Sequence, residues 1–148
     1  LLVPRVAELV CTGPEMIGFW NELADDGFVT HWTSPFTPPG ANDLGRRAVL
    51  EAELDAFVAR EIFGLTHEEL AHVLDTFPIV EKRDRKAHGE YRTKRVILEI
   101  YEAMAAAART GQAYQTLLNS PPADPRVAHA GVGNAAAPAS YHSRSGEQ

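Results

Sequence analysis

Between Glu90 and Arg109 the chain carries an apolar pattern that only a long α-helix satisfies. Apolar side chains recur every three or four residues and so share one helical face: Ile97, Ile100, Tyr101, Met104 and Ala108. The run Ala105 to Ala108 adds good helix formers. Gly89 and Gly111 flank the stretch, as glycine does at helix ends. The sequence predicts a helix over Glu90 to Arg109 that Gly89 opens and Gly111 closes.

A second helical pattern runs from Asp43 to Phe63. Asp43 is a suitable N-cap, and Gly64 follows directly as a C-terminal stop. The polar residues Glu51, Asp55 and Arg60 are expected to point outward. The apolar residues at helical spacing, which predict the buried face, are Leu50, Leu54, Phe57, Val58 and Ile62.

A capping box follows the second pattern. The Thr66 hydroxyl can reach forward while the Glu69 carboxylate reaches back, which predicts a short helix from His67 to Leu74. The next stretch, Phe77 to Val80, is predicted to be extended or loop-like, because Pro78 disfavours helix in the residue before it.

The remaining segments complete a mainly α fold. Val3 to Val10 and Glu15 to Ala24 are short helical candidates. Gly27 to Asn42 is predicted to be an irregular loop with aromatic anchors, namely Phe28, Trp32 and Phe36. Ser120 to Gln148 is expected to be an extended or disordered tail. We therefore predict a helical and loop segment at 1–42 that continues from an upstream domain, a small helical C-terminal domain at 43–118, and a flexible tail at 119–148.

Composition restricts the cellular setting. The chain has 148 residues, of which 45% are hydrophobic, enough for one modest core. The opening run Leu1 to Pro4 is too short for a signal peptide or a membrane span, so we expect a truncated or internal start and no membrane partner. The single cysteine, Cys11, allows no intramolecular disulfide and no zinc site built from cysteines. The expected location is the cytoplasm.

Charge is distributed unevenly along the chain. The formal net charge is −6, yet the basic segment, defined as Glu81 to Arg95, carries a local charge of +4, so that the remainder carries −10. Such a separation makes one face attractive to a polyanion, whereas a solvated helical face explains the pattern equally well. The seven cations and three anions of the segment are Lys82, Arg83, Arg85, Lys86, Arg92, Lys94 and Arg95, and Glu81, Asp84 and Glu90.

Two interpretations of the basic segment remain open. Backbone amides at the start of the predicted long helix, with the hydroxyl and cations beside them, would suit a phosphate group. Alternatively, Arg92 or Arg95 pairs with Glu90, Glu99 or an acidic residue of the preceding helices, as a structural clamp. The candidate DNA-binding residues are Lys82, Arg83, Arg85, Lys86, Arg92, Thr93, Lys94 and Arg95.

Motifs for methyl transfer are missing. Adenine methylation requires a glycine-bearing loop for the methyl donor and an Asn/Asp/Ser-Pro-Pro-aromatic stretch that grips a flipped base. The run Asn119 to Pro122 has a similar form, but Ala123 follows it and offers no face for stacking. We therefore predict no catalytic residue and no cofactor site in this chain.

Other catalytic classes find equally little support. A magnesium nuclease would use clustered carboxylates with a lysine. The spacing of the only candidate residues fits no nuclease pattern. These candidates are Asp75, Glu81, Lys82 and Asp84. His67 and His72 are five residues apart and do not share a helical face as metal ligands would. No serine lies in a sharp glycine-flanked turn between a strand and a helix. We expect no metal site.

Several blocks in a fixed order nevertheless resemble the C-terminal end of large fused bacterial DNA methyltransferases. The central blocks are Arg47 to Ala56, Phe63 to Thr66, Leu74 to Val80 and Gly89 to Lys94. Flanking runs extend the resemblance over roughly residues 3 to 129, and they are Val3 to Val6 with Glu8, Leu9 and Thr12, Tyr114 to Thr116, and Pro121 to Arg126. These proteins include restriction–modification enzymes that join an adenine methylase to a nuclease, and related methylases of anti-phage systems.

The resemblance implies a parent protein that methylates adenine N6 of DNA with S-adenosylmethionine, with target recognition mostly in its C-terminal half. The implied partners are DNA and the upstream methyltransferase domain of the same protein. The loop from Gly27 to Asn42 departs from the family pattern. The alternative is a helical cap that completes the parent fold without touching DNA, and a self-contained small enzyme is the third possibility.

Overall fold

The computed structural model describes residues 2–31 and 44–118, and these residues are mainly helical, which confirms the predicted fold class. Within them no residue is in a β-strand. The predicted tail at 119–148 and most of the predicted aromatic loop, including Trp32 and Phe36, lie outside the described residues. The α-helices are α1 (Leu2–Val10), α2 (Ile17–Asp25), α3 (Leu44–Phe57), α4 (His67–Asp75), α5 (Pro78–His88) and α6 (Arg92–Thr110).

The described residues divide into two compact units, one comprising residues 2–31 with 44 and 118, and the other residues 45–117. In the first unit, a 3₁₀ turn at Pro14–Met16 leads into α2, with Pro14 in the first turn, where its missing N–H costs nothing. The indole N–H of Trp20 donates to the Thr30 carbonyl at 2.8 Å. The buried core of this unit consists of Ala7, Cys11, Trp20 and Val29.

In the second unit, α3 buries Leu50 as predicted, whereas Leu54 and Phe57 are half-buried and the fully buried positions also include Ala52, Glu53 and Ala56. The helix changes its winding after Phe57. Residues Val58–Ile62 form a π turn, in which hydrogen bonds span one more residue than in an α-helix. Ala59 lies three residues after the buried Ala56 and is still on the buried face, whereas the extra residue of the π turn rotates Ile62 away, so that it is 59% exposed. The prediction that Ile62 lies on the buried face is therefore wrong. Asp43, the predicted N-cap, lies outside the described residues.

The capping box at α4 is confirmed. The Thr66 backbone N–H donates to the Glu69 carboxylate at 2.8 Å, and the Glu69 N–H donates to the Thr66 hydroxyl oxygen at 3.2 Å. Hydrogen bonds from Thr66 lower the pKa of the Glu69 carboxyl. Gly64, with a φ of 64°, allows the chain to leave the π turn in a left-handed conformation that favours glycine.

The prediction of an extended Phe77 to Val80 is wrong, because α5 begins at Pro78. Proline fits the first helical position, where its missing N–H has no intrahelical partner in any case. The restriction that a proline imposes falls on the residue before it, and only Phe77 has non-helical backbone angles. The basic segment is therefore helical from its first residue.

Helix α6 starts two residues later than predicted, at Arg92. Gly89 does not open α6; with a φ of 77° it ends α5, and its N–H donates to the Arg85 carbonyl at 3.0 Å. The predicted apolar face is buried, except that Ala105 takes the place of the exposed Ala108. Helix α6 packs against both α4 and α5.

Two tyrosine hydroxyls join α6 and the residue before it to the two ends of α4. Tyr91 donates to the Leu74 carbonyl at 3.0 Å, and Tyr101 donates to the Leu65 carbonyl at 2.7 Å. The Leu65 carbonyl lies just before the N-cap of α4, and the Leu74 carbonyl lies in its last turn. The two bonds fix α4 along α6.

Candidate functional site

The basic segment folds into most of α5, the turn at Gly89 and the first turn of α6. The structure separates its candidate residues into two groups: those that bind other residues of the unit, and those that face solvent. Asp84, considered in the sequence only as a weak nuclease candidate, is the central acceptor of the first group.

The Asp84 carboxylate caps the start of α6. Its Oδ2 accepts the backbone N–H of Thr93 at 2.6 Å, and the side chain is buried. Burial by itself would raise the pKa of the Asp84 carboxyl, but hydrogen bonds from Thr93 and the charges of Arg83 and His88 outweigh it and lower the pKa. The position expected to hold a phosphate at this helix end therefore holds an anion of the protein itself.

Lys94 joins α6 to the end of α4. Its Nζ lies 2.5 Å from Oδ1 of Asp75, the last residue of α4. The Tyr91 hydroxyl binds the carbonyl of the preceding residue, Leu74. The ion pair and the tyrosine bond thus hold the same end of α4, so Lys94 has a structural role.

Arg95 binds two carboxylates on the surface of α6. Its guanidinium donates to Glu90 at 2.9 Å and to Glu99 at 2.9 Å. These hydrogen bonds raise the pKa of Arg95, and the hydrogen bond from Arg95 lowers the pKa of Glu90. The structural clamp, one of the two interpretations of the basic segment, therefore forms at Arg95 with Glu90 and Glu99, the two glutamates expected for it.

Arg85 is also engaged, since its Nε lies 2.8 Å from Oε1 of Glu81, one helical turn earlier in α5. The four candidates Arg85, Thr93, Lys94 and Arg95 therefore each bind a carboxylate within the unit. Such pairing leaves their donors less available to an external phosphate.

The second group consists of the cations that face solvent. Lys82 and Lys86 are exposed, and neither forms an ion pair with a described residue. Arg83 has a side chain that is 75% exposed, with its Nε 4.0 Å from Asp84. Arg92 is exposed, and its charge contributes to the lowered pKa of Glu90. Lys82, Arg83 and Lys86 occur at spacings of one, three and four residues, so they share the outer face of α5.

Sequence reasoning missed a second buried carboxylate, that of Glu53 in α3. Its Oε1 accepts hydrogen bonds from three groups of the segment that follows α6. A signal for it exists, because Glu53 lies three residues after Leu50 and four before Phe57, on the apolar face of the pattern. A glutamate there needs internal donors. The donors to Glu53 include Tyr114 Oη, Thr116 Oγ1 and the Leu117 N–H.

Among residues 2–31 and 44–118, no group of three or more His, Cys, Asp and Glu side chains could hold a metal ion. The carboxylates considered for a magnesium nuclease bind elsewhere: Asp75 to Lys94, Glu81 to Arg85, and Asp84 to Thr93. His67 packs edge to face on Tyr101, with ring centroids 6.1 Å apart. In the same described residues, no helix has the length and apolar character to cross a bilayer.

Comparison with models of known families, with curated proteins and with solved structures finds no match to this chain.

Proposed function

We propose that this chain is the C-terminal helical part of a bacterial adenine-N6 DNA methyltransferase of the restriction–modification or phage-defence kind, and that it contributes contacts to the DNA backbone. The parentage is supported by the ordered blocks from Arg47 to Lys94. S-adenosylmethionine and the methyl-transfer residues belong, in this proposal, to an upstream domain. A cytoplasmic location follows for a protein that acts on bacterial DNA.

The observation that carries the DNA role is the outward group of cations on α5. Lys82, Arg83 and Lys86 share one exposed helical face, while the anions Glu81 and Asp84 of the same helix are paired within the unit. Cations on one face bind phosphates and release the counterions condensed on DNA. Contacts to phosphate are independent of sequence, so these three cations position the duplex and read no bases themselves.

Salt dependence of duplex binding tests this role. The slope of log K against log salt is negative, and each lost phosphate contact reduces its magnitude by about 0.9. We expect Lys86→Gln to reduce the magnitude by about that amount, and the double change of Lys82 and Lys86 to reduce it by about twice as much. Arg109→Gln, which removes an exposed cation in the last turn of α6, is the matched control and should leave the slope unchanged. Equal slopes for all variants would overturn the DNA role.

The parentage has its own test, which is the DNA sequence upstream of the coding region. We expect an in-frame methyl-donor loop and an Asn-Pro-Pro-aromatic motif there. An upstream frame that encodes neither motif overturns the parentage and leaves the binding measurement to stand by itself.

A second candidate function is a structural cap of the parent enzyme, favoured by the pairing of Asp84, Lys94 and Arg95. Asp84 fills the helix end where a phosphate was expected, and Lys94 ties α6 to α4. For a cap, charge removal on the outer face of α5 leaves both DNA affinity and methylation by the parent unchanged. Lys94→Gln would then lower the thermal stability of the chain without any change in DNA affinity.

A further inference from the structure

An apolar side chain occupies the same outer face of α5 as the solvent-facing cations. Ile79 lies three, four and seven residues before Lys82, Arg83 and Lys86, which is the spacing of a single helical stripe. Its side chain is 83% exposed, an unusual position for isoleucine. We name Ile79, Lys82, Arg83 and Lys86 the outer stripe.

The direction of the outer stripe is fixed by the opposite side of α5. Asp84 is the buried residue of this helix, and it is bound to the first turn of α6. Five residues separate it from Ile79, which places the two on nearly opposite sides. Pro78 fixes the backbone immediately before Ile79. Ile79 therefore projects outward on a helix that cannot rotate without breaking the Asp84 cap.

We propose that Ile79 makes an apolar contact with the DNA duplex whose phosphates the cations of the outer stripe bind. This inference rests on the proposed DNA role. A partner for the stripe needs negative charge opposite three cations and apolar surface one helical turn away. Duplex DNA offers both, because phosphates flank thymine methyl groups in the major groove and base faces that a wedge can separate in the minor groove.

The Ile79 contact contributes to the binding free energy a component that salt does not weaken. Apolar contact depends on the area removed from water, whereas the contribution of phosphate contacts falls as salt rises. Loss of Ile79 therefore weakens binding by the same factor at every salt concentration. Loss of Lys82 or Lys86 changes the slope instead. The two kinds of contact are separable by experiment.

The test measures binding of a short fluorescein-labelled duplex by the full chain and by Ile79→Ala over a range of salt concentrations. We expect the dissociation constant to rise about five- to tenfold throughout, with the slope unchanged. Because Ile79 is exposed, the variant should keep the circular dichroism spectrum and the urea midpoint of the unsubstituted chain. The matched control is Phe63→Ala, since Phe63 is 70% exposed and lies outside the outer stripe.

Two further arms identify the apolar surface on the DNA. Replacement of thymine by uracil removes the methyl group, so a loss of affinity that disappears in Ile79→Ala identifies contact in the major groove. A bend in the duplex, measured by energy transfer between its ends and reduced in Ile79→Ala, identifies a wedge. Either result supports the contact.

Unchanged affinity in Ile79→Ala, or an equal loss in Phe63→Ala, overturns the inference. If the lysine changes still lower the salt slope, the DNA role stands without the Ile79 contact. If neither the lysine changes nor Ile79→Ala affects binding, both proposals fail, and an acidic protein surface becomes the partner to examine for the outer stripe.

Discussion

The hydroxyl of Tyr114 donates to Oε1 of Glu53 at 2.8 Å, and so joins two residues that are 61 positions apart. Thr116 Oγ1 and the Leu117 N–H bind the same oxygen at 2.5 and 3.2 Å. Glu53 is fully buried in α3. One carboxylate thus fastens to α3 the segment that leaves the end of α6.

Glu53→Ala should lower the free energy of unfolding by about 3 kcal/mol, because it removes a fully buried acceptor from the half-buried donors Tyr114 and Thr116 and leaves a cavity in α3. Glu53→Gln keeps an acceptor oxygen and should cost less, about 1 to 2 kcal/mol. Urea denaturation followed by circular dichroism gives both values. Glu102→Ala, which truncates an exposed glutamate of α6, should change stability by no more than about 0.5 kcal/mol. A cost for Glu53→Ala as small as that of the control contradicts the role assigned to Glu53.

The Asp84 cap makes stability depend on pH. Because the folded state lowers the pKa of Asp84, its contribution is complete above the unfolded value of about 3.9 and is lost as pH falls through the lower folded pKa. Near neutral pH we expect Asp84→Asn to lower the free energy of unfolding by about 1 to 3 kcal/mol.

The sign of this effect is tested by unfolding both proteins at several pH values. The difference between the unsubstituted chain and Asp84→Asn should shrink as the solution is acidified below about pH 4, and it should be smallest below the lowered folded pKa of Asp84, where both side chains are neutral. A difference that stays constant down to the lowest pH contradicts the contribution of charge at Asp84.

The capping box gives a prediction for α4. Thr66→Ala removes the acceptor of the Glu69 N–H and should cost about 1 kcal/mol. Thr66→Ser retains the hydroxyl oxygen and should restore most of the stability. Thermal unfolding of the three proteins measures the effect. If the serine and alanine variants lose stability equally, the hydroxyl does not cap the helix.

The single cysteine reports on the core of the first unit. Cys11 is buried, and burial raises the pKa of its thiol, so little of the reactive thiolate is present or accessible. We expect a disulfide reagent to label native protein roughly tenfold or more slowly than protein unfolded in urea. Val29→Ala loosens the same core and should accelerate labelling, whereas Val10→Ala removes an exposed side chain and should not. Fast labelling of Cys11 in the native, unsubstituted chain would contradict a core that excludes the reagent.

Local signals predicted the parts of the fold that are themselves local. The spacing of Ile97, Ile100, Tyr101 and Met104 identified the buried face of α6, and Thr66 with Glu69 identified the start of α4. The exposure of Ile62 was missed because a π turn changes the helical period, and no pattern based on a constant period contains that change.

The candidate site was only partly predictable, for a physical reason. The Arg95 clamp involves residues four and five positions away, within reach of sequence reasoning. Asp84 caps a helix that begins beyond the next turn, and Lys94 pairs with Asp75 in another helix, 19 residues away. Such pairs depend on the angle between helices, which tertiary packing sets. The division of the cations into paired and solvent-facing groups therefore required the structure.

The short turns that join α4, α5 and α6 have a kinetic consequence. Contacts among these helices connect residues near one another in the chain, and low contact order favours folding within microseconds to milliseconds. The bond between Glu53 and Tyr114 instead closes a loop of about 60 residues, and it carries the entropic cost of bringing distant segments together. Helices α4, α5 and α6 should therefore assemble first, and the contact between Glu53 and Tyr114 should form last. On heating, that contact should break before these helices separate.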